Sequence, residues 1–104
     1  MLWIITCDAT PNMSAAREKV ASAHRAYMQE QKGILVLAGA TRSDDGEVIK
    51  GSVLIINVKT RAEAQAFSDG DPYTKSGVFS NIVISRMTKG QWNPAAAEGA
   101  ENPR

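Results

Sequence analysis

Apolar positions along the chain fall into four short runs separated by two stretches of longer period. Leu2–Cys7 is a nearly continuous apolar run closed by Asp8, and its length and Trp/Ile content predict a strand covered on both faces. Ile34–Ala40 and Gly51–Val58 repeat that pattern, and Val78–Met87 supplies a fourth strand with Phe79, Ile82, Val83 and Ile84 as its apolar content. Between the first two runs the period lengthens. Ala16, Val20, Ala23, His24, Tyr27, Met28 and Gln31 step along one side of Met13–Lys32, while Arg17, Glu18, Arg25, Gln29, Glu30 and Lys32 fall mainly on the other, which predicts a helix of about five turns. Asn12 or Ser14 is expected to cap its start near Glu18, and Gly33 to end it in the left-handed conformation.

Thr60-Arg61-Ala62-Glu63 reads as a capping box that opens a second helix through Phe67 to Ser68. Asp69-Gly70 ends that helix, Pro72 bars its simple continuation, and Tyr73–Ser76 is long enough for a single further turn. Ser43-Asp44-Asp45-Gly46 is the strongest turn signal and joins strands two and three into a hairpin.

The order βαββαβ, with short connections and right-handed crossovers, predicts an α+β, ferredoxin-like domain: a four-stranded antiparallel sheet with two helices on one face. Strands one to three do not alternate apolar and polar as a sheet with one wet face would. The open face therefore calls for a cover, and a second copy packed sheet against sheet in a homodimer is the economical one. Residues 1–88 form the expected domain. Residues 89–104 are small and polar apart from Trp92, and read as a flexible C-terminal extension.

Twelve basic and eleven acidic residues leave a formal net charge of +1, which offers no footprint for nucleic acid or an anionic membrane. No stretch approaches the roughly 20 apolar residues of a membrane span. The apolar start lacks a basic leader and a cleavage pattern, so the chain reads as soluble and cytoplasmic. Cys7, the single cysteine, lies in a strand and reads as a small buried hydrophobe in a reducing compartment.

Few residues carry chemistry. His24, the single histidine, is either a packed imidazole or a general acid/base, since imidazole ordinarily titrates near neutral pH. Asp71 before Pro72 either fixes a turn or orients a histidine tautomer. Ser52, Tyr27 and Tyr73 offer hydroxyls that are either structural or aimed at a ligand. One histidine, one cysteine and scattered carboxylates give no metal-ligand spacing, and no glycine-rich phosphate loop or nucleophile elbow is present.

Taken in order, several motifs give the chain a family likeness: His24 in the first helix, Leu37-Ala38-Gly39 ending the second strand, Gly51-Ser52 opening the third, Glu63-Ala64-Gln65-Ala66-Phe67 leading to Asp71-Pro72-Tyr73, then Gly77-Val78-Phe79. Over Leu2 to about Met87 the chain resembles the YCII-related (YciI-like) family of small dimeric α+β barrel proteins. The resemblance implies a ferredoxin-like fold, a homodimer through the sheets, and a pocket served by a histidine and an aspartate, here His24 and Asp71. Related dimeric barrels include enzymes that isomerise, eliminate from or oxygenate small ring compounds without an organic cofactor. The chain departs from the pattern at Ala21, where members can carry a basic residue, at Arg86, where a proline can stand, and in its tail.

The resulting expectation is a cofactor-independent small-molecule enzyme, an isomerase, lyase or dehydrohalogenase-like protein. His24 and Asp71 act as the acid–base pair, and Ser52, Tyr73 and Gly39 bind the substrate. The alternative is a dimeric module that holds a small metabolite without turning it over. Topology places Asp71 toward the sheet edge where the first helix begins, while His24 lies ten residues, about 15 Å, along that helix. It calls for one shared cavity and does not call for a direct hydrogen bond.

Overall fold

A computed structural model describes residues 1–101. Its elements are β1 (Leu2–Ala9), α1 (Ser14–Glu30), β2 (Leu35–Arg42), β3 (Ile49–Asn57), α2 (Arg61–Gly70), α3 (Pro72–Lys75) and β4 (Phe79–Met87), followed by a 3-10 turn at Pro94–Ala97. The strands lie in the order β2-β3-β1-β4, and every neighbouring pair is antiparallel. With the helices packed on one face, this is the ferredoxin-like arrangement expected from the order of elements.

Register divides the sheet into two faces, because directly paired residues point the same way. Trp3, Ile5 and Cys7 of β1 pair with Ile56, Leu54 and Ser52 of β3, and all six are buried toward the helices. Phe67 and Ala64 of α2, Tyr73 of α3, and Val78, Phe79 and Ile84 complete this core. The Trp3 indole N–H donates to the Val58 carbonyl at 3.2 Å, which satisfies the one polar atom of that side chain. On the other face, Ile4 pairs with Ile55 and Thr6 with Val53 and Val83. That face carries exposed apolar side chains at Leu37 and Val83, which are 64% and 54% exposed.

Helix ends show where local signals held and where they did not. The capping box at the start of α2 forms in full: the Thr60 hydroxyl accepts from the Glu63 amide, and the Glu63 carboxylate accepts from the Thr60 amide. The start of α1 differs from expectation. Asn12 is in the left-handed region at φ 62°, and Met13 holds the cap position without a side-chain cap bond. Gly33 is not a left-handed stop either. The chain leaves α1 through consecutive turns in which the Ile34 and Leu35 amides both donate to the Gln31 carbonyl. Along α1, Ala21 rather than Ala23 packs against the core, and Ala23 faces solvent.

The β2–β3 tip closes on itself. Gly46 at φ 76° donates to the Ser43 carbonyl, and the Asp45 carboxylate accepts from the Ser43 hydroxyl and the Glu47 amide. These bonds hold the Asp45 carboxyl below its ordinary pKa. Beyond β4, Trp92 is 58% exposed and borders a groove with Met1, Leu2, Val36 and Met87, while the Lys89 ammonium sits 5.8 Å from its ring centre. The last part of the expected flexible extension, residues 102–104, lies outside the described residues.

Candidate active site

The site grows from a difference in helix length. Helix α1 has 17 residues and α2 has 10, about 25 Å and 15 Å at 1.5 Å per residue. The two run antiparallel across the sheet, so α2 stops partway along α1 instead of reaching the edge. The Tyr27 hydroxyl donates to the Phe67 carbonyl at 2.9 Å and marks the level at which they pass. Gly70 permits that approach, since a Cβ there would stand 2.5 Å from the Tyr27 hydroxyl. One residue later the chain turns at Asp71, and α3 with Ser76–Val78 carries it the remaining distance to β4.

Asp71 thus lies level with the middle of α1, not at the sheet edge. His24 Nδ1 and Asp71 Oδ1 are 2.8 Å apart. This corrects the expectation that the topology gives only a shared cavity. Helix α2 ends at Asp69-Gly70 as the sequence predicts, but that end falls short of the sheet edge, which brings the two side chains into direct contact.

Asp71 is 2% exposed, and Oδ1 also accepts from the Tyr73 amide at 2.9 Å, so the same carboxylate caps α3 and meets the histidine. A buried carboxyl requires such partners. With Asp71 as a carboxylate, Nδ1 carries the hydrogen and the lone pair is left on Nε2. The His24 ring stacks on Tyr73 at 4.0 Å between centroids with 17° between planes, and meets Phe79 edge-on at 6.4 Å. The ring is held on one edge and one face.

His24 borders a cleft of about 550 Å³ between α1 and the β2–β3 edge of the sheet. Ser52, Tyr73 and Gly39 line the same cleft, as do Arg17, Arg25, Leu54 and Phe79. Asp71 does not. It stands behind the histidine, bonded to Nδ1, while His24 itself is on the cleft wall. The five residues expected at the site therefore meet, four on the cleft wall and Asp71 immediately behind it, while the Tyr27 hydroxyl, also a candidate, bonds the Phe67 carbonyl away from the cleft.

Sequence reasoning assigned Arg17 and Arg25 to the outer side of α1, and both line the cleft. For Arg17 the signal was available: it precedes His24 by seven residues, two helical turns, and so shares its face. Its guanidinium lies 4.8 Å from the Tyr73 ring centre.

Cys7 lies on the same buried sheet face, and burial, with Asp71 and Asp8 nearby, pushes its thiol up to about 12. Such a thiol is inert at neutral pH. Burial, then Asp71 and Glu30, also raises the Tyr27 hydroxyl. Among the described residues, no group of three or more His, Cys, Asp or Glu side chains is arranged to hold a metal ion, and no helix is long and apolar enough to cross a membrane.

The family model for the YCII-related domain matches residues 1–88. Protein YciI of Escherichia coli is 29% identical over 96 residues, which cover 86% of this chain and 98% of that protein. Among solved structures, 5-chloro-2-hydroxyhydroquinone dehydrochlorinase from Burkholderia phenoliruptrix, in complex with 2,5-dihydroxybenzoquinone, superposes with a TM-score of 0.76. It is 28% identical, over 85% of this chain and 94% of that one. Protein Atu4242 from Agrobacterium tumefaciens, at 22% identity and a TM-score of 0.52, covers 90% of this chain and 98% of its own and shares the fold.

Proposed function

Because this chain belongs to the YCII-related family, we propose that it is a cofactor-independent enzyme that moves protons on a small cyclic molecule, with His24 as acid/base and Asp71 as the group that orients it. The carrying observation is the 2.8 Å contact between His24 Nδ1 and the buried Asp71 carboxylate, with His24 on the cleft wall. Asp71 fixes the tautomer and steadies the imidazolium that forms when Nε2 takes a proton. Tyr73 holds the ring in plane, and Ser52 offers a hydroxyl to the ligand.

Two reaction outcomes suit this apparatus. In an isomerisation, Nε2 takes a proton from a carbon next to a carbonyl and returns it elsewhere on the conjugated system. In an elimination, Nε2 takes a hydroxyl or C–H proton, the freed electron pair forms the new double bond, and the leaving group departs with the electrons of its own bond. The similarity to a dehydrochlorinase supports the second.

The functional unit in this proposal is a homodimer joined through the open sheet face. The exposed Leu37 and Val83 and the half-buried Ile4, Val53 and Ile55 form the apolar surface such a partner would cover. Light scattering on the eluting protein is expected to give twice the 11.2 kDa chain mass. A monomer at low micromolar concentration rules the dimer out.

The acid–base reading is tested by a thermal-shift screen of small cyclic hydroxy and keto compounds, with turnover assays on every hit. Wild type is expected to convert at least one hit, and Asp71→Asn and His24→Gln to slow that conversion by about 10²–10⁴-fold. Binding without conversion across all hits would make the protein a metabolite-holding module instead.

A further inference from the structure

We infer that the cleft selects anionic ligands, and that Arg17 receives a delocalised oxyanion, a carboxylate or an enolate, beside the ring held by His24. The inference rests on the acid–base reading for its reaction and on separate observations for its charge. Arg17 Nη1 is buried and has no hydrogen-bond partner among the described residues. A buried guanidinium charge without an acceptor is costly, and an oxyanion in the cleft that Arg17 lines would offset that cost. The guanidinium is also positioned, since it lies 4.8 Å from the centre of the Tyr73 ring on which His24 stacks. One aromatic side chain thus fixes the proton carrier and the cation relative to each other.

The wall supports the same sign. Arg17, His24 and Arg25 line the cleft and, among the described residues, no Asp or Glu does, while the neighbouring Asp71 carboxylate is turned to Nδ1 and the Tyr73 amide. A planar guanidinium suits a planar oxyanion, which it can meet through two parallel N–H bonds. The chemistry also gains from this placement. Removing a proton from a hydroxy or keto ring leaves negative charge on oxygen, and a cation held in advance at that oxygen stabilises the charge as it develops. Arg17 is thereby a binding residue whose contribution grows through the reaction.

Arg17 also borders a second cleft, beside Asp8, Asn12 and Lys50 at the start of α1, and the experiment must separate the two. Benzoate and benzamide share a shape and differ in charge, and 2,5-dihydroxybenzoquinone supplies an enolate-type anion. Each is titrated into the full-length protein by NMR, with His24, Tyr73 and Lys50 as reporters. Both anions are expected to shift His24 and Tyr73 and to bind at least tenfold more tightly than benzamide. Their affinity is expected to fall with added NaCl and to drop at least tenfold in Arg17→Met, with partial recovery in Arg17→Lys.

Equal binding of benzoate and benzamide by wild type overturns the inference without any variant. So does binding that shifts Lys50 but not His24, no binding by either anion at 10 mM, or an Arg17→Met protein of unchanged affinity. The two readings fail separately: charge selection without turnover defeats the acid–base reading alone, and turnover without charge selection defeats this one alone.

Discussion

The hydrogen bond between His24 and Asp71 predicts a measurable thermodynamic coupling. In Asp71→Ala, Oδ1 is lost as the acceptor of two bonds, one from the Tyr73 amide and one from His24 Nδ1. Loss of the α3 cap costs about 1 kcal/mol, and loss of a hydrogen bond to a charged group about 1.5–3 kcal/mol. His24→Ala loses the same hydrogen bond together with the stacking on Tyr73, an aromatic contact of about 0.5–1.5 kcal/mol. Each single variant is therefore expected to lose about 2–4 kcal/mol. The double variant cannot lose the shared bond twice, so the cycle should close with a coupling of about 2 kcal/mol. Asp71→Asn is the informative control. Asparagine is a good cap, and its side-chain oxygen can still accept both bonds, so its loss should be clearly smaller than that of Asp71→Ala. Urea unfolding at fixed pH gives each value by linear extrapolation, with an unchanged m-value as the check on compactness. Additivity of the two alanine variants within about 0.5 kcal/mol would refute the direct contact.

Three further outcomes follow from the same structure. Gly70→Ala should lower the urea midpoint despite alanine's advantage of about 1 kcal/mol in a helix, because the new Cβ meets the Tyr27 hydroxyl at 2.5 Å and displaces it from the Phe67 carbonyl; an unchanged or higher midpoint contradicts that close approach. Cys7, raised from 9.0 to about 12 by burial first and by Asp71 and Asp8 next, stays protonated in the fold while the unfolded chain ionises. The folded state then holds the extra proton, and stability falls as pH rises from about 9 toward 12; Cys7→Ala should flatten that part of the urea-midpoint profile, and an identical profile refutes it. Val83→Lys, on the exposed sheet face, should convert the proposed dimer to monomer in light scattering while leaving the circular dichroism spectrum unchanged; a dimer that survives it does not use this face.

What the sequence made legible follows from the range of the forces involved. The four strands, the α2 capping box and the Gly46 turn are set by neighbours within a few residues, and the hydrophobic pattern carried them. The ends of α1 were misread because Asn12 and Gly33 are common stop and start residues whose backbone here is set by the turns around them. The direct His24–Asp71 bond was not legible because it depends on where α2 stops relative to α1. That is a tertiary quantity, fixed by the Tyr27–Phe67 bond and the bare Gly70 as much as by Pro72. Arg17 was missed for a different reason. A basic residue on a surface helix is ordinarily solvated, and only its seven-residue spacing from His24 argued otherwise.

The two surfaces of β3 tie the site to the proposed assembly. Ser52 and Leu54 point into the cleft that holds His24, while Val53 and Ile55 alternate with them on the open face. A one-residue slip of β3 against β1 would exchange the sets, taking the Ser52 hydroxyl out of the cleft and turning Val53 into it. The register is pinned on both flanks. Gly51 lets the strand lie against the Cys7 carbonyl where no Cβ fits, and the irregularity between Leu35 and Leu37 turns Leu35 toward the helices and Leu37 outward with Ile55. Association through the open face would favour the same register, since only that register presents Val53 and Ile55 to a partner. A partner on one side of the sheet would then help hold the ligand-facing residues on the other side in place.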